Sequence, residues 1–191
     1  QQPTLFPYTT LFRSETVECK EHLQLAQETA LKSCVLLKND GILPLKKDKL
    51  KTLGVIGPNA DSRVALTGNY HGTSSRYITI LEGVQDECGD DVRVLYAPGC
   101  DLYRRKTEVL AFENDRIAEA LTVAEHSDTV LLVLGLDETL EGEAPDDGNS
   151  MEAGDKPDLL LPDVQRELME RVLALGKPTV VVLLAGSSID L

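Results

Sequence analysis

Residues 129–143 read Thr-Val-Leu-Leu-Val-Leu-Gly-Leu-Asp-Glu-Thr-Leu-Glu-Gly-Glu, an apolar run that ends in carboxylates. A short continuous apolar run of this kind is typical of a strand that is buried on both faces of a parallel sheet. Such strands place ligands and catalytic groups just outside their carboxyl ends. The stretch therefore predicts an α/β protein, and it indicates that chemistry is to be sought among the acidic residues after the strand.

Strand-like and helix-like segments alternate along the rest of the chain. The pattern predicts strands at 53–56, 92–96, 129–134 and 179–184 and helices at 15–33, 80–87, 113–126 and 162–175. Gly57-Pro58 closes the first strand, and Pro162 suits the first turn of the last helix. This alternation predicts a mostly parallel sheet sandwiched between helices. Because the chain stops shortly after the fourth strand, we expect the domain to be truncated at its C-terminus.

The first residues are set apart from this pattern. Residues 4–14, Thr-Leu-Phe-Pro-Tyr-Thr-Thr-Leu-Phe-Arg-Ser, match the forward translation of a common sequencing adapter over eleven consecutive codons. We therefore expect residues 1–14 not to be native and residues 15–191 to form one α/β domain. A genuine leader is the alternative. With the native start expected to be missing, the sequence does not distinguish a cytoplasmic from an exported protein.

The excess of acidic side chains disfavours some classes of binding partner. The chain carries 32 Asp and Glu residues against 19 Lys and Arg residues, a formal net charge of −13. This balance disfavours binding to nucleic acid or to an anionic membrane surface. No apolar run approaches the roughly 18 residues that indicate a membrane span. We therefore expect a soluble protein with a neutral ligand.

No motif in the sequence indicates a metal or a cofactor, and we expect neither. The four cysteines contain no Cys-x-x-Cys pair, which leaves unpaired thiols or a bridge between Cys88 and Cys100 as alternatives. Reading Gly148 as the turn glycine of an EF-hand loop places a proline where that loop needs an oxygen ligand. The run Gly54-Val-Ile-Gly lacks the third glycine of a dinucleotide fingerprint.

Five short motifs follow one another along residues 15–191. They are Val35-Leu-Leu-Lys-Asn-Asp-Gly-Ile-Leu-Pro-Leu45, Val55-Ile-Gly-Pro-Asn-Ala60, Gly68-Asn-Tyr-His-Gly72, the acidic stretch from Glu141-Gly142 through Asp155-Lys156 to Leu161-Pro-Asp-Val-Gln165, and Leu183-Leu-Ala-Gly-Ser187. In this order they resemble the C-terminal domain of glycoside hydrolase family 3, the β-glucosidases, β-xylosidases and their relatives. The resemblance implies an (α/β)6 sandwich, and it implies a (β/α)8 barrel domain upstream of Glu15 in the full-length chain.

The resemblance also assigns a role to one carboxylate. Hydrolysis of a glycosidic bond needs one carboxyl group that protonates the leaving oxygen and a second that traps the oxocarbenium-like centre. A Glu among other acids in a partly desolvated loop is expected to have a raised pKa, as the first role requires. Family members carry this acid/base at the Glu before Gly or Ala, which is Glu141 here, with Glu143 as the fallback. Without the resemblance, the acidic run is typical of a solvated surface loop.

A second candidate region is the loop of residues 68–77. It combines small residues with aromatic rings that can stack on a sugar, and the corresponding loop of the family borders the sugar-binding cleft. Asn69, Tyr70 and Arg76 are the candidate substrate-binding residues. A purely structural turn is the alternative for a loop of this composition.

The function implied by the resemblance is part of a retaining exo-β-glycosidase. The substrate expected is a β-linked oligosaccharide or aryl β-glycoside with a terminal non-reducing xylose or glucose. The nucleophile, an Asp, is expected on the barrel domain, so the full-length chain is expected to be an O-glycosyl hydrolase and the isolated chain inactive. Lys156 stands for the usual Arg and Asp163 for the usual Gly, and an insertion lies between Glu143 and Asp155. The alternative is a non-catalytic α/β module that binds carbohydrate or shapes an interface.

Overall fold

The computed structural model describes residues 16–68, 70–106, 110–112, 114–142, 156 and 158–191. They fall into two units, one ending at Leu43 and the other beginning at Pro44. Neither unit contains, in its described part, a helix that is both long and apolar enough to cross a membrane.

The described part of the first unit consists of one helix and an extended segment. Helix α1 spans Lys20–Ser33 and buries none of its residues. It begins later than the predicted residue 15, because Glu18 adopts a left-handed backbone with φ 56° that a helix does not accommodate. Further along, the side-chain oxygen of Asn39 accepts hydrogen bonds from the backbone N–H groups of Gly41 (3.0 Å) and Leu43 (3.1 Å). These bonds close the turn that ends the unit.

The second unit is built on a four-stranded parallel sheet. Its strands are β1 Thr52–Ile56, β2 Arg93–Ala97, β3 Thr129–Gly135 and β4 Thr179–Leu184, in the spatial order β2-β1-β3-β4. All pairings are parallel, with Leu53 opposite Thr129 and Val130 opposite Thr179. The four predicted strands and the parallel sheet are confirmed, and β3 is buried along its whole length as its apolar run predicts.

In the part of this unit that the structure describes, four α-helices accompany the sheet, namely α2 Ile80–Cys88, α3 Asp115–Glu125, α4 Glu138–Glu141 and α5 Asp163–Leu173. Short 3-10 helices lie at Lys47–Lys49 and Val64–Leu66. The helices predicted at 80–87, 113–126 and 162–175 correspond to α2, α3 and α5. The one-turn helix α4 is not among the predicted helices.

Alternate residues of β3 belong to two separate apolar clusters, as the two-residue period of a strand requires. Val130, Leu132 and Leu134 share one cluster with residues of α3 and α5. Leu131 and Val133 share the other with β1 and α2. The sheet is therefore covered by helices on both faces, which confirms the predicted layered α/β fold.

The same division separates the two cysteines for which a bridge was considered. Cys88 belongs to the cluster with α2 and Cys100 to the other, and both are unpaired thiols. The bridge is therefore not formed. Burial raises the pKa of the Cys100 thiol to about 12, so it behaves as a packing residue rather than a nucleophile.

The functional edge of the sheet lies at the carboxyl ends of the strands. The chain passes from β1 to one side for β2 and to the other side for β3, so the direction of winding reverses between β1 and β3. Open α/β sheets bind ligands in the crevice at such a reversal. At this edge β3 ends in Gly135, whose φ is +145° and where a Cβ would lie 1.9 Å from the carbonyl oxygen of Leu184. Only glycine allows β3 and β4 to approach this closely.

Candidate active site

The segment after β3 turns at once into the short helix α4. The Asp137 Oδ1 atom accepts hydrogen bonds from the backbone N–H of Thr139 (2.9 Å) and from its hydroxyl (2.6 Å), so Asp137 caps the helix. The N–H of Glu141 donates to the Asp137 carbonyl at 3.0 Å, and Leu140 is buried. The cap and the buried leucine together place Glu141 at the end of one helical turn, close to the carboxyl edge of the sheet.

The Glu141 carboxyl group faces the loop that follows β4. Its Oε2 atom accepts a hydrogen bond from the backbone N–H of Gly186 at 2.9 Å. Its Oε1 atom accepts from the N–H and the hydroxyl of Ser187, at 2.8 Å and 2.5 Å. The partly buried carboxyl group is therefore held by three donors, all from one neighbouring loop. Sequence reasoning quoted Gly186 and Ser187 as part of a motif but did not find this contact.

Lys156, which follows the acidic insertion in the sequence, also contacts the loop after β4. The Lys156 ammonium donates a hydrogen bond to the carbonyl oxygen of Ser188 at 2.8 Å. Lys156, which stands where the resemblance implies an arginine, is thus hydrogen-bonded to the loop that also holds Glu141. Glu143, the fallback acid/base, lies outside the described residues.

The loop of residues 68–77 contacts α4 through His71. The His71 Nε2 atom lies 3.2 Å from Glu138 Oε2, and its Nδ1 atom lies 2.9 Å from the carbonyl oxygen of Gly72. The hydrogen bond to Gly72 and the nearby Glu138 carboxylate raise the pKa of the His71 imidazole. The structure thus joins the two candidate regions through His71 and Glu138, a pairing that local sequence patterns do not reveal because the two residues lie far apart along the chain.

The candidate sugar-binding residues have different environments. Tyr70 is 86% exposed and has a left-handed backbone with φ 60°. The Arg76 guanidinium lies 2.8 Å from Glu82 on α2, so it points toward that helix. Asn69 lies outside the described residues.

The described part of the chain holds no group of three or more His, Cys, Asp or Glu residues arranged to bind a metal ion. The described site presents the Glu141 carboxyl group, with hydroxyl and amide donors around it.

Comparisons with known proteins point to one family. A sequence model described as the glycosyl hydrolase family 3 C-terminal domain matches residues 34–191. The chain is 37% identical over 187 residues to a β-xylosidase of Formosa agariphila, which covers 93% of this chain and 24% of that enzyme. It is 36% identical over 173 residues to β-D-xylosidase 3 of Arabidopsis thaliana, covering 90% of this chain and 20% of that protein.

Solved structures give the same result for the fold. The chain superposes with a TM-score of 0.74 and 34% identity on a family 3 exo-β-xylosidase, XlnD, in complex with a xylobiose aziridine activity-based probe, covering 89% of this chain and 20% of that one. A family 3 β-glucosidase of Bifidobacterium adolescentis gives a TM-score of 0.68 at 32% identity, covering 89% and 22%. The chain thus spans a quarter or less of the length of the relatives named here.

Proposed function

Because the chain belongs to glycoside hydrolase family 3, whose C-terminal domain it matches, we propose that it supplies the general acid/base of a retaining exo-β-glycosidase, and that Glu141 is this residue. The observation that carries the proposal is the position of the Glu141 carboxyl group. It lies beyond the carboxyl end of β3 and is fixed by three hydrogen bonds from Gly186 and Ser187. A catalytic group that is already oriented avoids the entropic cost of ordering it in the transition state.

The Ser187 hydroxyl suits a residue that changes its protonation state during turnover. A backbone N–H group is only a donor, whereas a hydroxyl group both donates and accepts. The Ser187 hydroxyl therefore donates to Oε1 when Glu141 is a carboxylate and accepts from Oε1 when Glu141 is a carboxylic acid. After it has given its proton to the leaving glycosidic oxygen, the carboxylate acts as the base that activates water.

On this proposal, the second carboxylate comes from outside this chain. Retaining glycosidases hold two carboxyl groups about 5–5.5 Å apart, one as acid/base and the other as nucleophile. We place the nucleophile, an Asp, on a (β/α)8 barrel domain of the full-length chain. The relative from Formosa agariphila offers the room for such a domain, since three quarters of its length lies outside the match. On this proposal the isolated chain is catalytically inactive.

The proposed substrates are β-linked oligosaccharides or aryl β-glycosides that end in a non-reducing xylose or glucose. The names of the relatives support both sugars, because they include β-xylosidases and a β-glucosidase. The loop of residues 68–77 is the proposed sugar-binding element, with Asn69, Tyr70 and Arg76 as its candidate contacts. The exposed Tyr70 ring is available for stacking, whereas Arg76 has to leave Glu82 before it can reach a sugar.

One observation favours the alternative of a non-catalytic module. Both oxygens of Glu141 are already engaged by groups of the same domain. A carboxylate in this arrangement also ties the segment after β3 to the loop after β4. On this alternative, the role of Glu141 is to stabilise the edge of the sheet that faces a sugar site or another domain.

The experiment that separates the two is a chimera in which residues 15–191 replace the matching segment of the Formosa agariphila β-xylosidase. We expect Glu141→Gln to reduce the turnover of p-nitrophenyl β-xyloside by roughly two to four decades, the contribution typical of a general acid/base. Added azide should restore part of the turnover, because a small anionic nucleophile attacks the glycosyl-enzyme without base assistance.

Two further variants complete this experiment. Glu119→Gln, which changes an exposed carboxylate on α3, should leave turnover unchanged. Glu143→Gln tests the fallback position. If Glu141→Gln keeps full turnover and Glu143→Gln loses it, the role moves to Glu143; if both keep it, the domain is a non-catalytic module.

A further inference from the structure

Two buried amide side chains hold the backbone between β3 and α4. Gln165, on α5, is fully buried. Its Oε1 atom accepts a hydrogen bond from the N–H of Gly135 at 2.9 Å, and its Nε2 atom donates to the carbonyl oxygen of Gly135 at 2.7 Å. Asn59, which is 1% exposed, donates from Nδ2 to the carbonyl oxygen of Leu136 at 3.1 Å. The backbone of Gly135 and Leu136, upstream of Glu141, is therefore hydrogen-bonded to side chains from other parts of the fold.

The sheet itself does not supply these contacts. The pairing of β1 with β3 ends at Leu132, whereas the pairing of β4 with β3 continues to Gly135. On the β1 side, the N–H and carbonyl groups of Gly135 consequently have no strand partner, and buried backbone groups need one. Gln165 fills the place of the absent strand residue because a primary amide offers one donor face and one acceptor face.

Gln165 also connects a third segment to this point. Its Nε2 atom donates a second hydrogen bond, at 2.7 Å, to the carbonyl oxygen of Leu102, which follows β2. The amide group therefore uses both of its N–H groups and its oxygen. A buried polar network whose members are all satisfied makes a site rigid and selects one arrangement.

The side-chain amide of Asn59 makes fewer hydrogen bonds than that of Gln165. Within the part of the chain that the structure describes, its Oδ1 atom has no hydrogen-bond partner although it is buried. The bond from Nδ2 to the Leu136 carbonyl fixes the residue directly before the cap of α4.

We propose that Gln165 and Asn59 are positioning residues for Glu141, a role that rests on the function proposed for Glu141. They fix the Gly135–Leu136 backbone from which the capped turn of α4 starts, and so determine where the Glu141 carboxyl group lies. Because the turn is short and closed by the Asp137 cap, a shift at Leu136 is passed on to Glu141. A displacement of about 1 Å in a catalytic group costs up to about a hundredfold in rate.

The test uses the chimera and compares two substrates. The ratio kcat/KM reports the first step, cleavage of the glycosidic bond, and a poor leaving group such as phenol needs proton donation there more than 2,4-dinitrophenol does. Gln165→Met keeps a long side chain and removes the amide. We expect it to lower kcat/KM for phenyl β-xyloside about 10- to 100-fold and to change that for 2,4-dinitrophenyl β-xyloside by less than about threefold.

The control removes packing from the same helix without touching Gly135. Leu168→Ala truncates a fully buried residue of α5, and it should lower the melting temperature while leaving the ratio of kcat/KM for the two substrates unchanged. Asn59→Leu removes the bond to Leu136 and should change that ratio in the same direction as Gln165→Met, by a smaller factor.

The possible results distinguish a failure of the positioning role of Gln165 from a failure of the acid/base role of Glu141. If Glu141→Gln changes the ratio and Gln165→Met lowers both substrates equally, Gln165 is a structural residue and the positioning proposal fails. If Glu141→Gln leaves the ratio unchanged, the proposed function itself fails. Should Gln165→Met not yield folded enzyme, the ratio measured for Asn59→Leu decides the question.

Discussion

Glu141 and the loop of residues 68–77 are the two candidate parts of the site, and they are held in different ways. Glu141 follows a fully buried strand and receives three hydrogen bonds, two of them from backbone N–H groups. The loop of residues 68–77 is held by pairs of exposed or half-exposed side chains, such as Arg76 with Glu82 and His71 with Glu138. This difference is what the proposed roles require, since a group that transfers a proton needs a fixed position and a loop that adapts to a sugar does not.

The largest expected difference between the two regions is in their tolerance of an added methyl group. Gly135→Ala places a Cβ 1.9 Å from the Leu184 carbonyl oxygen at a φ of +145°. We expect it to lower the free energy of unfolding of the chain by more than about 3 kcal/mol, because both backbone strain and a clash with the neighbouring strand have to be relieved.

Gly68→Ala is the matched change in the loop, since a Cβ there meets no described atom within 4 Å. It should alter the free energy of unfolding by less than about 0.5 kcal/mol, as is usual for an unconstrained surface position. Urea denaturation of both variants gives the comparison. Similar values for the two glycines would show that the edge of the sheet is no more rigidly built than the loop.

A smaller difference is expected when one hydroxyl group is removed from each region. Ser187→Ala deletes the hydroxyl that donates to Glu141 Oε1, and should lower the free energy of unfolding by about 1 kcal/mol. Glu141 keeps its two backbone donors in this variant, so the chain should remain folded. The control is Ser74→Ala, whose hydroxyl donates to the Arg76 carbonyl and accepts from the Arg76 N–H; because both partners are uncharged, its loss should matter less. A larger loss for Ser74→Ala than for Ser187→Ala would contradict the contrast between the two regions.

The fold was largely predictable from the sequence because it depends on local patterns. Each predicted strand lies within one residue of the observed strand at both ends, since a short apolar run bounded by turn residues marks a strand whatever its neighbours are. The family resemblance is likewise confirmed by the match over residues 34–191. Helix α1 is the exception at its start, where Glu18 turns the chain before the helical pattern begins.

The details of the site were less predictable because they depend on contacts between distant segments. The four residues of α4 are mostly polar and carry no apolar period, so only the Asp137 cap and the burial of Leu140 reveal the helix. Gly186 and Ser187 donate hydrogen bonds to Glu141 because β3 and β4 are neighbours in the sheet. This strand order cannot be read from the sequence of one chain. The role of Gln165 depends on where the pairing of β1 with β3 stops.

The smallest expected effect concerns the pair that joins the two regions. His71 has a raised pKa in the folded chain, owing first to its hydrogen bond with Gly72 and then to Glu138. The stabilisation is therefore fully present below the ordinary histidine pKa of about 6.5 and is lost as the pH rises through the higher pKa of the folded state. We expect His71→Asn to lower the free energy of unfolding slightly at pH 5.5, by less than Ser187→Ala does, and not at all at pH 8.5.

The same pH series with Ser74→Ala serves as the control, because this substitution removes no titratable group from the loop. A loss for His71→Asn that is equally large at both pH values would mean that the imidazole stabilises the loop by packing and not through its charge. In that case the loop of residues 68–77 and α4 would be coupled independently of protonation. The contrast between the firmly held Glu141 and the loop would then have to rest on Gly135 and Ser187 alone.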